Sequence, residues 1–122
     1  MRTTNRKRLS NPGRYALLLI TQESTSAPTA LTVINDFGTF TLARTGTGVY
    51  TLTKAGAFTS EKTFVNFQQN ISGTQKIKVE RTSANVITIS TFEITYDAGA
   101  GVIATATDAI LTSTPFEISV YN

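Results

Sequence analysis

From Arg14 to Tyr121 the chain alternates apolar and polar residues in short runs, and each run ends at a glycine, proline, asparagine, aspartate or serine. A period of two places successive side chains on opposite faces of an extended backbone, whereas a helix needs apolar residues three and four apart. Lys76–Arg81 is the clearest case, with Ile77 and Val79 on one side and Lys76, Lys78 and Glu80 on the other. Threonine, valine, isoleucine, phenylalanine and tyrosine dominate these runs, the residues that pack well on a pleated surface. The chain is therefore expected to be all-β.

Further runs extend that reading. Tyr15–Ile20 is almost wholly apolar and is taken as a strand, since no helix cap precedes it. Leu31–Ile34 is a short strand ending at the turn-favouring pair Asn35-Asp36. Gly38–Arg44 and Val49–Thr53 flank Thr45-Gly46-Thr47-Gly48 and form the best hairpin, with Phe40 and Leu42 on one face of the first arm and Tyr50 and Leu52 on one face of the second. Lys62–Gln68 follows, then Val86–Tyr96 as one bent strand or two, Val102–Thr107, and Phe116–Tyr121 after a break at Thr112–Pro115. About eight strands at this spacing, with no helix and no fixed repeat, predict an antiparallel β-sandwich, a jelly roll being one form of it.

With 122 residues there is room for one domain and its own core. It divides into a polar, basic arm over 1–13 and a sandwich over 14–122. Five of the eleven basic residues, Arg2, Arg6, Lys7, Arg8 and Arg14, precede the first acid, Glu23, leaving six bases against eight acids for the remainder. The net charge of +3 thus belongs to the arm. These five residues are the candidate partner-binding set: an arm too polar to bury its own surface orders on docking to phosphate or to an acidic protein surface. Nucleic acid is expected to engage the arm alone, because the body is slightly acidic. The longest apolar run, Ala16–Ile20, is too short to span a bilayer, so neither a membrane anchor nor a signal peptide is expected.

The chain contains no cysteine and no histidine. That removes thiolate nucleophiles, disulfides, serine triads and the commonest transition-metal ligands. Carboxylates remain, scattered singly, and a pair such as Asp97 and Asp108 meeting in the fold is the one arrangement suited to calcium or to glycoside chemistry. Thr45–Gly48 is a turn and not a phosphate loop, since strands flank it where a helix would be required. No enzyme activity and no cofactor are expected.

The segments "RTGTGVYTLTKAGAF" at 44–58, "KTFVNF" at 62–67 and "TDAILTSTPFEISVYN" at 107–122, with "YALLLITQESTSAPTALTVINDFG" at 15–38, resemble small virion proteins of tailed bacteriophages, of the head-fibre and capsid-decoration types. The resemblance covers nearly the whole body and rests on patterns of turn and strand residues. It implies a β-rich domain, a homotrimer, attachment to a major capsid protein and a place on the capsid surface. Two other roles suit the same residues: a carbohydrate-binding module of a fibre or tail using exposed Tyr50, Tyr96 or Asp97, and a jelly-roll coat protein whose arm binds packaged nucleic acid.

Overall fold

The computed structural model describes residues 13–68 and 73–122. Among the described residues nine strands are present in chain order: β1 (Arg14–Thr21), β2 (Thr29–Asn35), β3 (Thr41–Gly46), β4 (Val49–Thr53), β5 (Thr63–Phe67), β6 (Gln75–Arg81), β7 (Val86–Asp97), β8 (Gly101–Ala106) and β9 (Thr114–Val120). They form two antiparallel sheets, so the expected sandwich is found with one strand more than the eight anticipated. The first sheet runs β2-β1-β9-β5; the second runs β3-β4-β7-β6, with β8 paired to the far half of β7. Val86–Tyr96 is one strand, not two, and its length lets it serve two partners along the same edge: β4 pairs with Val86–Ser90 and β8 with Phe92–Asp97.

Alternation explains which residues fill the space between the sheets. Ala16, Leu18 and Ile20 from β1 pair with Ile118, Phe116 and Thr114 of β9, and these six, with Val120, are buried. Tyr50 and Leu52 of β4 and Ile87 and Ile89 of β7 cover them from the other sheet. The expectation that Arg14–Thr21 is a strand holds, with one face sealed in the core and the other, carrying Leu17 and Leu19, only half-buried. Loop residues close the open end. Phe58 is fully buried and lies 6.1 Å from the ring of Phe37 and 6.2 Å from that of Phe40, while its carbonyl accepts a 2.6 Å hydrogen bond from Arg81 Nε.

The break expected over Thr112–Pro115 is shorter than its composition suggests, because β9 already begins at Thr114. Proline has no N–H to give to a ladder and is admitted at strand starts. Pro115 is the second residue of β9, and its carbonyl accepts from Gln68 N at 3.1 Å, just beyond the end of β5. The missing amide points to the same side as that carbonyl, past the last rung of the β5–β9 ladder, Phe67–Phe116.

Truncating Phe58 to alanine empties the centre of the aromatic cluster and is expected to cost about 3–5 kcal/mol. Urea unfolding followed by circular dichroism measures this; a loss below about 1 kcal/mol means that the loop does not seal the core.

Candidate functional site

Three features combine charge, burial or exposed surface in a way that bears on function. The first is a buried polar junction between the sheets. Tyr50 reaches from β4 to the end of the core, where its hydroxyl lies 2.7 Å from Asp108 Oδ1 and 2.8 Å from Gln22 Oε1. One phenolic hydrogen faces two acceptors, and the charged one makes the stronger bond. Asp108 also accepts from the amide of Gly48 at 2.9 Å and from Arg44, whose Nη2 is 2.8 Å from Oδ2 and whose Nε is 3.2 Å from both oxygens. Gln22, itself buried, accepts from Ala109 N at 2.6 Å and donates from Nε2 to the carbonyls of Ser24 and Ser26. The junction thus ties the end of β1, the β3–β4 turn and the β8–β9 connection into one network.

Its electrostatics follow from these contacts. The Arg44 guanidinium, the Gly48 amide and the Tyr50 hydroxyl hold the Asp108 carboxyl far below its ordinary value of 3.8. Burial first, and then the hydrogen bond to Asp108, push the Tyr50 phenol well above its ordinary 10.0. Every oxygen of the carboxylate is occupied by a donor of the chain. The arrangement stabilises a fixed charge and a neutral phenol; it offers no free base or nucleophile.

Gly48 shows why the turn must be glycine. Its φ is +67°, and a Cβ there would lie 2.6 Å from Thr91 O and 2.7 Å from Thr107 N. Thr91 sits where β4 hands over to β8: its amide donates to Gly48 O at 2.8 Å, its carbonyl accepts from Thr107 N at 3.0 Å, and its hydroxyl donates to Thr107 O at 2.6 Å. The reading of Thr45–Gly48 as a turn between strands agrees with this geometry.

The second feature is the outer face of the β2-β1-β9-β5 sheet. Leu31, Val33 and Ile34 of β2 are 66%, 54% and 46% exposed, and Phe64 of β5 and Tyr121 just after β9 are 54% and 44% exposed, their rings in edge contact at 5.5 Å. Three apolar residues among Leu31–Ile34 cannot all face inward along one strand. A bulge opposite Leu17 and Leu18 shifts the register so that Ile34 pairs with Leu17 and Leu31 with Leu19, all on the outer side. Toward β5 the same face holds a shallow groove of about 360 Å³ lined by Leu17, Asn66, Phe67, Gln68, Pro115 and Glu117.

The third feature is the ribbon formed by the outer half of β7 and β8. All of β8 beyond Gly101 is exposed, and Tyr96 and Val102, paired across the ribbon, are 76% and 71% exposed. β8 carries no charge and no proline along its free edge, whereas the β6 edge carries Lys76, Lys78 and Glu80.

The sequence-predicted sites fare unequally. Arg2, Arg6, Lys7 and Arg8 lie outside the described residues. Arg14 opens β1, is exposed and pairs with Val120 at the sheet end. Tyr50, expected to be an exposed sugar contact, is instead completely buried, because the alternation of β4 places it with Leu52 on the core side. Asp97 stays exposed but its Oδ1 accepts from Gly99 N at 2.7 Å and from Ala100 N, capping its own turn. The anticipated meeting of Asp97 and Asp108 does not occur. Asp97 forms one end rung of the β7–β8 ladder and Asp108 lies past the other end, the five steps between the end rungs spanning about 17 Å. No group of three or more acidic residues able to hold a metal is found among the described residues. Of the sugar-binding set only Tyr96 keeps an open side chain. Nothing in the composition marked Gln22 or Asp108 as partners, since each looks like an ordinary loop-border polar residue.

No family model, no curated protein and no solved structure matches this chain.

Because Asp108 titrates lower and Tyr50 higher in the folded state than in the unfolded chain, the junction's contribution is complete between the two ordinary values, 3.8 and 10.0. Stability is expected to fall as pH drops below the first value and again as it rises above the second. In Asp108→Asn, thermal melts from pH 2 to 7 are expected to show a lower midpoint at neutral pH and a flatter acid limb. An acid limb as steep as the wild type's assigns the pH dependence elsewhere. Gly48→Ala, which forces a Cβ onto Thr91 and a strained φ, is expected to cost about 1–3 kcal/mol in urea unfolding.

Proposed function

We propose that this chain is a non-enzymatic structural protein of a phage virion, sitting on the capsid exterior as a homotrimer and held there through its basic N-terminal region. The observation that carries the reading is the surface: the domain leaves large apolar side chains exposed on the outside of one sheet and along a free ribbon. Soluble monomers rarely expose apolar surface so broadly, and contiguous patches of this kind mark places where proteins meet. The resemblance of the body to head-fibre and capsid-decoration proteins points the same way.

Division of labour between body and arm supports the attachment mode. Arg2, Arg6, Lys7, Arg8 and Arg14 concentrate positive charge ahead of a body in which acids outnumber bases. A major capsid protein presenting an acidic lattice is the partner this charge suits, and steering by such a segment raises the rate of encounter. The arm begins beside the end of β9, since Gly13 packs against the backbone of Val120 so closely that a Cβ would not fit. The junction between arm and body, at Gly13, therefore lies at one end of the first sheet.

Mass spectrometry of purified virions from the source phage tests the reading. The chain is expected at a stoichiometry comparable to that of a capsid-lattice component, and its absence from intact particles would overturn the proposal. The full-length Arg6→Ala/Lys7→Ala/Arg8→Ala variant is expected to keep the wild-type circular dichroism and melting midpoint while losing most of its particle occupancy. Unchanged occupancy would place the attachment in the body.

A further inference from the structure

We infer that the outer face of the β2-β1-β9-β5 sheet is the surface on which copies of this chain join, head to tail, with the β2 side of one copy seated on the β5 side of the next. The inference deepens the homotrimer reading above and rests on it for the number of copies, but it assigns the contact from the face itself.

Area comes first. Leu31, Ile34, Phe64 and Tyr121 expose between 44% and 66% of their surface. At roughly 80–100 Å² apiece they present about 320–400 Å² of apolar surface, half on the β2 side and half on the β5 side. The half-buried Leu17 and Leu19 lie between them. A head-to-tail junction takes one of these halves from each copy, an apolar centre that the surrounding polar residues must widen toward the ~800 Å² per partner of a stable interface.

Charge then selects a second copy. In a symmetric assembly every residue near the axis meets copies of itself, so a self-contact tolerates few charges at its centre. Only Glu117 brings charge to the middle of this face, and it accepts a hydrogen bond from the hydroxyl of Tyr15. That bond raises the Tyr15 phenol above its ordinary value and keeps it a donor. At the rim, at the end of the sheet where β1 starts with the exposed Arg14, Asp36 follows β2 with its Oδ2 3.2 Å from Tyr15 N, and Lys62, opposite Tyr121 and next to the exposed Glu61, precedes β5. Three inter-strand spacings, about 14 Å, separate those two sides. A back-to-back pairing does nothing with this asymmetry. A head-to-tail ring sets Asp36 of one copy against Lys62 of the next at every junction.

Shape agrees with charge. The β2 side projects Leu31 and Ile34, while the groove of about 360 Å³ runs from Leu17 of β1 across Pro115 and Glu117 of β9 to Asn66 of β5. Projection and groove lie on different halves of one face, the arrangement that a heterologous, closing contact needs.

Light scattering after size exclusion, on the full chain from about 1 to 100 µM, is the primary experiment. Wild type is expected to be oligomeric, Leu31→Lys and Phe64→Lys each to shift the distribution to monomer by at least tenfold in concentration, and Val102→Lys on the ribbon to leave it unchanged. Asp36→Lys is expected to weaken assembly and Asp36→Lys/Lys62→Asp to restore it. Because the chain has no cysteine, Ser119→Cys on the same face supplies a readout that does not depend on a disruptive lysine. Its maleimide labelling is expected to slow at least tenfold as concentration carries the protein from monomer to oligomer. A monomeric wild type overturns the inference and leaves the virion reading to the particle composition. An oligomer that survives both lysine variants, that Val102→Lys dissolves, or that labels at Ser119→Cys at a constant rate moves the interface off this face. Failure of the double charge swap to restore assembly overturns the head-to-tail geometry.

Discussion

The hydroxyl of Tyr50 is the point on which the sandwich is organised. Its ring fills the space between the sheets, and its oxygen ends against Gln22 and Asp108, 28 and 58 residues away along the chain and brought together by the two ladders. A buried tyrosine needs a partner for its oxygen, and here the partner is an anion already held by Arg44 and a turn amide. Burial of the ring and fixation of the charge therefore depend on each other. The β3–β4 turn, the loop after β1 and the β8–β9 connection are positioned as one unit because of this, and with them the start of β9 and the groove beside Pro115.

Much of the fold was legible because it is periodic. Lys76–Arg81 alternates so cleanly that the inward pair Ile77 and Val79 and the wet side were assigned correctly, and the β3–β4 hairpin was marked by its glycines. What alternation does not encode is which face of a strand meets the core when both faces are apolar. Tyr15–Ile20 and Leu31–Ile34 were such cases, and a single bulge in β2 decided that Ile34 and Leu31 point outward. The polar junction was illegible for a different reason. Gln22, Tyr50 and Asp108 carry no local signature, and their contact is a product of strand order, which no short-range pattern contains. For Tyr50 the shared face with Leu52 is the clue in the sequence, and it points to the core and not to a sugar.

The two exposed regions differ in how the fold supports them. The outer face of the first sheet is backed by the core through β1 and β9, so its geometry is as fixed as that of the interior. The ribbon has no such backing: β8 bonds only to β7, and both faces of that pair lie beyond the layer of buried side chains. A two-stranded hairpin by itself is at the edge of stability in water. Rigid surface suits a contact made repeatedly and identically, while a less supported ribbon suits one that adapts to its partner.

Thr91 marks the seam between these regimes. Up to that residue β7 is flanked on both sides and belongs to the sandwich; past Phe92 it runs with β8 on one side and soon leaves β6 behind. The part beyond the seam has almost no share in the core, so changes there are paid by the ribbon alone. The Asp97–Gly101 tip is consequently the place where this architecture can accept new sequence of its own or foreign origin, growing or displaying a loop at the end of a stalk while the sandwich and its contacts stay as they are.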